Sequence, residues 1–270
     1  AKANLTVTAT NDSKTYGATT TAANISYTSG VAANVATGYS TSGLVNGDTI
    51  SSVTLSSTGA NNTATVAGGP YTITPSALSG STRVSTANYN ITYTNASTGL
   101  TVNKATLTYV ATPTTSVYGS TPSVNAGTVT GFVNNETSSV LTGTLLFSTT
   151  ATGTSNVGSY AINGSGLSSG NYQFVQDAGN ASALTIGQKS LTVTANAQST
   201  TYGSALTLGT SAFTTSGLVN SDTVTSVTLL QGGNSVIPST QTAGTYNNGI
   251  IASGATGNGL TNYSIAYSPG

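Results

Sequence analysis

Cysteine, histidine, methionine and tryptophan are all missing from this 270-residue chain, and only 4% of it is charged. Without cysteine there is no disulfide framework and no thiolate chemistry. Without histidine there is no imidazole to bind metal, act as a base or switch near neutral pH. A chain lacking Cys, Met and Trp offers little to oxidants, which suits long residence outside a cell. Five basic residues balance five acidic ones and are scattered along the chain. That pattern leaves no electrostatic footprint for nucleic acid. No apolar run is long enough to cross a bilayer. Ala1-Lys2 leads directly into an alternating strand pattern, with no signal peptide, so the chain reads as a mature or excised portion of something larger.

What is present is polar but uncharged. Ser and Thr make up about a third of the residues, and there are 32 Gly. Hydroxyls and amides therefore carry solubility. With 36% hydrophobic residues, many of them Val, Ile, Leu and Tyr in short clusters, the chain can bury cores and reads as folded and β-rich rather than disordered. The length allows about one to three domains.

An internal repeat organises the whole chain. Leu5-Thr6-Val7, Leu107-Thr108-Tyr109 and Leu191-Thr192-Val193 open three units, and a Tyr-Gly pair follows each at the same spacing: Tyr16-Gly17, Tyr118-Gly119 and Tyr202-Gly203. Next come the turns GLVNGDT (43–49), GFVNNET (131–137) and GLVNSDT (217–223), which place Asp48, Glu136 and Asp222 at one equivalent position. A strand follows, carrying Val53 and Leu55, Val140 and Leu145, or Val227 and Leu229. A Gly-rich turn then ends in Tyr71, Tyr160 or Tyr246, and an Asn-Tyr strand begins at Asn88-Tyr89, Asn171-Tyr172 or Asn262-Tyr263. The units span 1–103, 104–187 and 188–270.

The units read as strands. Leu5, Val7 and Ala9 alternate with Thr6, Thr8 and Thr10, the period of two that marks a half-buried strand, and Tyr89, Ile91 and Tyr93 repeat it. Helix is confined at most to one short turn between the Tyr-Gly pair and the next strand. Asn46-Gly47 is a strong hairpin signal, with Asn134-Asn135 and Asn220-Ser221 as weaker versions.

These landmarks, in this order, resemble the YGX and YDG types of MBG repeat, which occur in tandem in large bacterial surface and secreted adhesins of the filamentous-haemagglutinin kind. The resemblance covers nearly the whole chain. It implies an all-β architecture of three tandem small modules, with a β-grasp among the candidate forms, serving as stalk or matrix units with no enzymatic activity and no cofactor. Many family members carry Asp after Tyr-Gly, whereas this chain has Ala18, Ser120 and Ser204.

No catalytic, cofactor-binding or metal residues are assigned. Asp48, Glu136 and Asp222 each stand alone in their own unit, whereas paired-carboxylate catalysis needs two groups within roughly 5–10 Å. A Ca²⁺ loop would need several oxygen ligands in a spacing that is absent here. The acid reads instead as an acceptor of backbone N–H bonds beside the turn. The repeated tyrosines read as core or corner residues rather than sugar-stacking platforms. The Gly- and Ser-rich stretch 164–170 misses the nucleotide-loop spacing. Lys2, Lys104 and the Gln188-Lys189 pair read as solvated residues at unit starts rather than crosslinking groups.

The function expected from these features is a structural stalk or matrix region of an extracellular bacterial adhesin. A glycan- or host-surface-binding module is the alternative; it would require one unit decorated with exposed aromatics that the others lack, and the sequence singles out none. Directly joined units without flexible linkers predict an elongated rod. Sheet edges with almost no charge to protect them predict self-association. Closing strands at 100–103 and 184–187 have no counterpart in the third unit, which predicts an open sheet edge there.

Overall fold

A computed structural model of the chain describes residues 1–18, 21–22, 25–26, 33–35, 38–79 and 83–270. It is built of short strands joined by turns, with four 3-10 turns and no α-helix among the described residues. Contacts divide it into two compact units. One comprises Ala1–Val110, Thr128–Leu146 and Ser165–Asp177; the other comprises Ala111–Gly127, Phe147–Gly164 and Ala178–Gly270.

In the first unit the opening strand Ala3–Ala9 lies between Tyr39–Ser42, which runs antiparallel to it, and the Asn-Tyr strand Tyr89–Thr94, which runs parallel. Leu5, Val7 and Ala9 are buried, as the alternation requires. They pack with Val53, Leu55, Ile73, Tyr89 and Leu100 in one cluster. The same unit holds all but the last residue of the second opening strand, Ala105–Ala111, which pairs in parallel with Tyr172–Gln176 so that Leu107 faces Phe174. In the other unit Lys189–Ala195 lies between Phe213–Ser216 and the parallel Tyr263–Ser268. A parallel pair cannot be closed by a tight turn, so everything between opening and Asn-Tyr strands is crossover. The crossover carries a further antiparallel pairing: Ser52–Ser56 with Thr74–Ser79 in one unit and Thr223–Gln231 with Ile250–Asn258 in the other.

The closing strands form a second kind of sheet. Leu100–Asn103 pairs in parallel with Asp12–Thr15, and Leu184–Gly187 with Thr114–Val117. In the third repeat the residues equivalent to Asp12–Thr15, 198–201, form no strand. They line an open groove of about 760 Å³, together with Ile237, Tyr246 and Ile250.

Three expectations from the sequence need correction. The acid-bearing turns are tight, but they do not close hairpins. Tyr39–Ser42 before the first turn belongs to the opening-strand sheet, whereas Ser52–Ser56 after it pairs with Ala33–Val35 and Thr74–Ser79. Val140 is not in a strand: it ends the 3-10 turn Ser138–Val140 and is 42% exposed, while Phe147, in the strand Thr142–Ser148, is the buried residue. Nor does a helical turn follow the Tyr-Gly pair. In the first repeat part of that segment lies outside the described residues, and after Tyr118-Gly119 and Tyr202-Gly203 no helix forms. The 3-10 turns sit instead at Thr58–Ala60, Ser138–Val140, Ala178–Ser182 and Leu260–Asn262.

Candidate functional site

Each acid-bearing turn puts two successive residues in the left-handed region: Asn46 and Gly47 at φ 57° and 68°, Asn134 and Asn135 at 55° and 58°, Asn220 and Ser221 at 54° and 64°. Asn and Gly in these places lower the cost of that conformation. The turn closes with an N–H from the acid to the Val carbonyl, 3.0 Å for Asp48 to Val45 and 2.9 Å for both Glu136 to Val133 and Asp222 to Val219.

This geometry presents a backbone donor and a carboxylate to the same phenol. The Tyr89 hydroxyl accepts the Val45 N–H at 3.1 Å and donates to Asp48 Oδ2 at 2.8 Å. Tyr172 accepts from Val133 at 3.0 Å and donates to Glu136 Oε2 at 2.5 Å. Tyr263 accepts from Val219 at 2.9 Å and donates to Asp222 Oδ2 at 2.8 Å. The acid at the equivalent position is thus the acceptor for the tyrosine of the Asn-Tyr strand. The sequence reading expected it to accept backbone N–H bonds; the bond it receives here comes from a phenol.

A second phenol reaches two of the three acids from the preceding repeat. Tyr16 donates to Glu136 Oε1 at 2.5 Å, and Tyr118 donates to Asp222 Oδ2 at 2.8 Å. In both cases the two tyrosine rings meet edge to face, with centroids 5.5 Å apart at 83° and 82°. Such pairs add about 0.5–1.5 kcal/mol beyond the area they bury. The glycine after each tyrosine lies against the turn valine: a Cβ on Gly17 would fall 2.3 Å from Val133 Cγ2, and one on Gly119 2.7 Å from Val219 Cγ2.

Two amide contacts complete each boundary. Asn134 Nδ2 donates to the Asn62 carbonyl at 3.1 Å, and Asn220 Nδ2 to the Gly153 carbonyl at 3.0 Å. Four residues further along that loop, the Val66 N–H donates to Asn171 Oδ1 at 3.0 Å and the Val157 N–H to Asn262 Oδ1 at 2.9 Å. The loop is held by the tyrosine of the Gly-rich turn, whose hydroxyl donates to the carbonyl just before that valine: Tyr71 to Thr65 at 3.0 Å and Tyr160 to Asn156 at 2.7 Å. Tyr246 makes the same bond to Thr242 at 2.8 Å in the third repeat.

Burial pushes the Tyr172 and Tyr263 phenols up to about 12, with their carboxylate partners adding to the effect. Tyr16 is raised for the same two reasons, burial first and Glu136 second. Phenols held protonated beside a carboxylate are hydrogen-bond donors, not bases or nucleophiles near neutral pH. Among the described residues no group of three potential metal ligands comes together.

Sequence reasoning missed Lys14. It is 6% exposed, its ammonium bonds the carbonyls of Ala18 (3.1 Å) and Asn61, and burial lowers its pKa. Ser116 and Thr200 occupy the equivalent position and donate to the carbonyls of Ser120 (3.5 Å) and Ser204 (3.1 Å), so the signal was a hydroxyl-or-amine donor two residues before each Tyr-Gly pair. The sequence also singled out no repeat with exposed aromatics. In the structure Tyr202 and Tyr246 of the third repeat are 70% and 48% exposed and line the open groove.

A family model described as MBG domain (YGX type) matches residues 5–98, 107–182 and 191–270. No curated protein and no solved structure matches the chain.

Proposed function

We propose that this chain, which belongs to the MBG domain (YGX type) family, is a structural stalk or matrix repeat region of an extracellular bacterial adhesin or fibre and carries out no catalysis. One observation carries the reading. In a chain with five acidic residues, three occupy one repeat position and all three hold tyrosine hydroxyls, two of them across a repeat boundary. Scarce charge in this arrangement joins one repeat to the next. Each acid is engaged by the phenol of its own repeat, which favours architecture over chemistry.

The groove of the third repeat favours a second reading, in which that repeat binds a glycan or a host surface. Its exposed Tyr202 and Tyr246 stand among Gln198, Thr200, Gln241 and Thr242, a mix of aromatic faces and uncharged hydrogen-bonding groups. A glycan-binding screen on the whole chain separates the two. Reproducible, saturable binding that Tyr246→Ala abolishes overturns the passive-stalk reading, and its absence across a broad array supports it.

A further inference from the structure

The first and last segments of the first repeat run side by side in one direction. Ala3–Ala9 pairs in parallel with Tyr89–Thr94, from Ala3 opposite Tyr89 to Thr8 opposite Thr94. Asp12–Thr15 then pairs in parallel with Leu100–Asn103, from Asp12 opposite Leu100 to Thr15 opposite Asn103. Further backbone bonds extend both ladders: the N–H groups of Ala3, Asp12 and Tyr16 donate to the carbonyls of Asn88, Gly99 and Asn103 at 3.0, 3.1 and 2.8 Å. The second repeat uses the same two pairings, Ala105–Ala111 with Tyr172–Gln176 and Thr114–Val117 with Leu184–Gly187. Lys104 alone separates the last strand of the first repeat from the first strand of the second, and Gln188 alone separates the second repeat from the third in the same way.

Strand direction decides what tension does to such ladders. A pull along the chain reaches the first segment of a repeat at its N-terminal end and the last segment at its C-terminal end. Because the two segments are parallel, they are drawn lengthwise past each other and all their rungs are loaded together. Antiparallel end strands would have both pulled ends side by side and would open one rung at a time. Sliding carries a second cost, since a slip of one residue, about 3.3 Å, sets the inward side chains of one strand against outward positions of its partner. Leu5, Val7 and Ala9 on the first segment and Tyr89, Leu100 and Val102 on the last are all buried, so that mismatch disrupts the core along its length. The chain between the segments, including the antiparallel pair Ser52–Ser56 with Thr74–Ser79, is bypassed while the ladders hold.

We propose that the paired end segments of the first and second repeats are shear clamps, which give the chain a load-bearing function. Tension passes from the first strand to the last through the ladders and enters the next repeat with no slack between them. The proposal rests on the stalk reading, because only an array held at both ends is put under tension.

The absence of cysteine lets one repeat be pulled from chosen points. Single-molecule force spectroscopy compares two variants of the whole chain that share Lys2→Cys, with handles coupled to the thiols. In one, the second handle is at Lys104→Cys, just past the end of the last segment, and loads the ladders in shear. In the other it is at Ala87→Cys, just before Tyr89–Thr94, and peels the first ladder from one end. All three positions are exposed, and the other repeats lie outside the loaded stretch. At one loading rate the rupture force in the first geometry is expected to be at least about twice that in the second, because forced unfolding follows the unfolding barrier and only shear loads every rung at once. A smaller ratio overturns the proposal. The ratio is measured on the isolated chain and does not depend on whether a glycan binds, so the clamp and the stalk reading fail separately.

Discussion

Replacing Glu136 by Ala deletes an acceptor that serves two phenols at 2.5 Å each, one from its own repeat and one from the preceding repeat. A hydrogen bond to a charged group contributes about 1.5–3 kcal/mol, which bounds the pair at about 3–6 kcal/mol. Glu136 is only partly buried, so water enters and satisfies part of what is lost. The expected loss is therefore near the lower bound, about 3 kcal/mol. Glu136→Gln keeps one acceptor oxygen, and a phenol can accept from its amide, so about 1–2 kcal/mol is expected. With no Trp and 14 Tyr, denaturant unfolding can be followed by tyrosine fluorescence alone. A double-mutant cycle with Tyr16→Phe isolates the contact across the boundary, and its coupling should be about 1–2 kcal/mol. A coupling below about 0.5 kcal/mol would refute the claim that this acid joins the repeats, whatever the single substitutions cost.

Gly17→Ala should destabilise the chain by more than about 2 kcal/mol, because the residue sits at φ +82° and its Cβ would overlap Val133. Gly203→Ala, at φ +92° in open space, should cost only about 1 kcal/mol, and equal losses in thermal melts would contradict the packing difference. Alkaline pH should destabilise the chain: the folded Tyr172 and Tyr263 titrate near 12, above the ordinary value of 10, so their contribution is intact below 10 and disappears as pH rises towards 12. A melting temperature that stays level from pH 9 to 12 would count against those phenol–carboxylate bonds. Lys14→Met keeps the buried stem but leaves the carbonyls of Ala18 and Asn61 without their donor, for an expected loss of about 1–3 kcal/mol in denaturant unfolding.

Local pattern made the strands legible and left the boundaries obscure. Leu5, Val7 and Ala9 alternate with threonines, and burial follows that alternation because the inward face of a strand is fixed by its period. The turns were visible through Asn46-Gly47, but a turn signal does not say which sheets its arms join. Val140 misled because a 3-10 turn interrupts the run before the strand begins. The role of the acids could not be read locally, since Tyr16 lies 120 residues from Glu136 and the pair exists only once two repeats are adjacent. The three Tyr-Gly tyrosines make the point most directly: the motif is the same at 16, 118 and 202, yet exposures are 4%, 3% and 70%. That difference is set by the neighbour each one meets.

Every repeat carries a Tyr-Gly tyrosine and a turn carboxylate, so each boundary asks its neighbour for the same pair of groups. Excising the second would bring Tyr16 to Asp222, the same pair of groups as before. Inserting another copy would create one more boundary of the same kind. Asp and Glu both serve, since Asp222 and Glu136 each receive two hydroxyls. The chemistry of the boundary thus lets the length of the array change without having to redesign its parts.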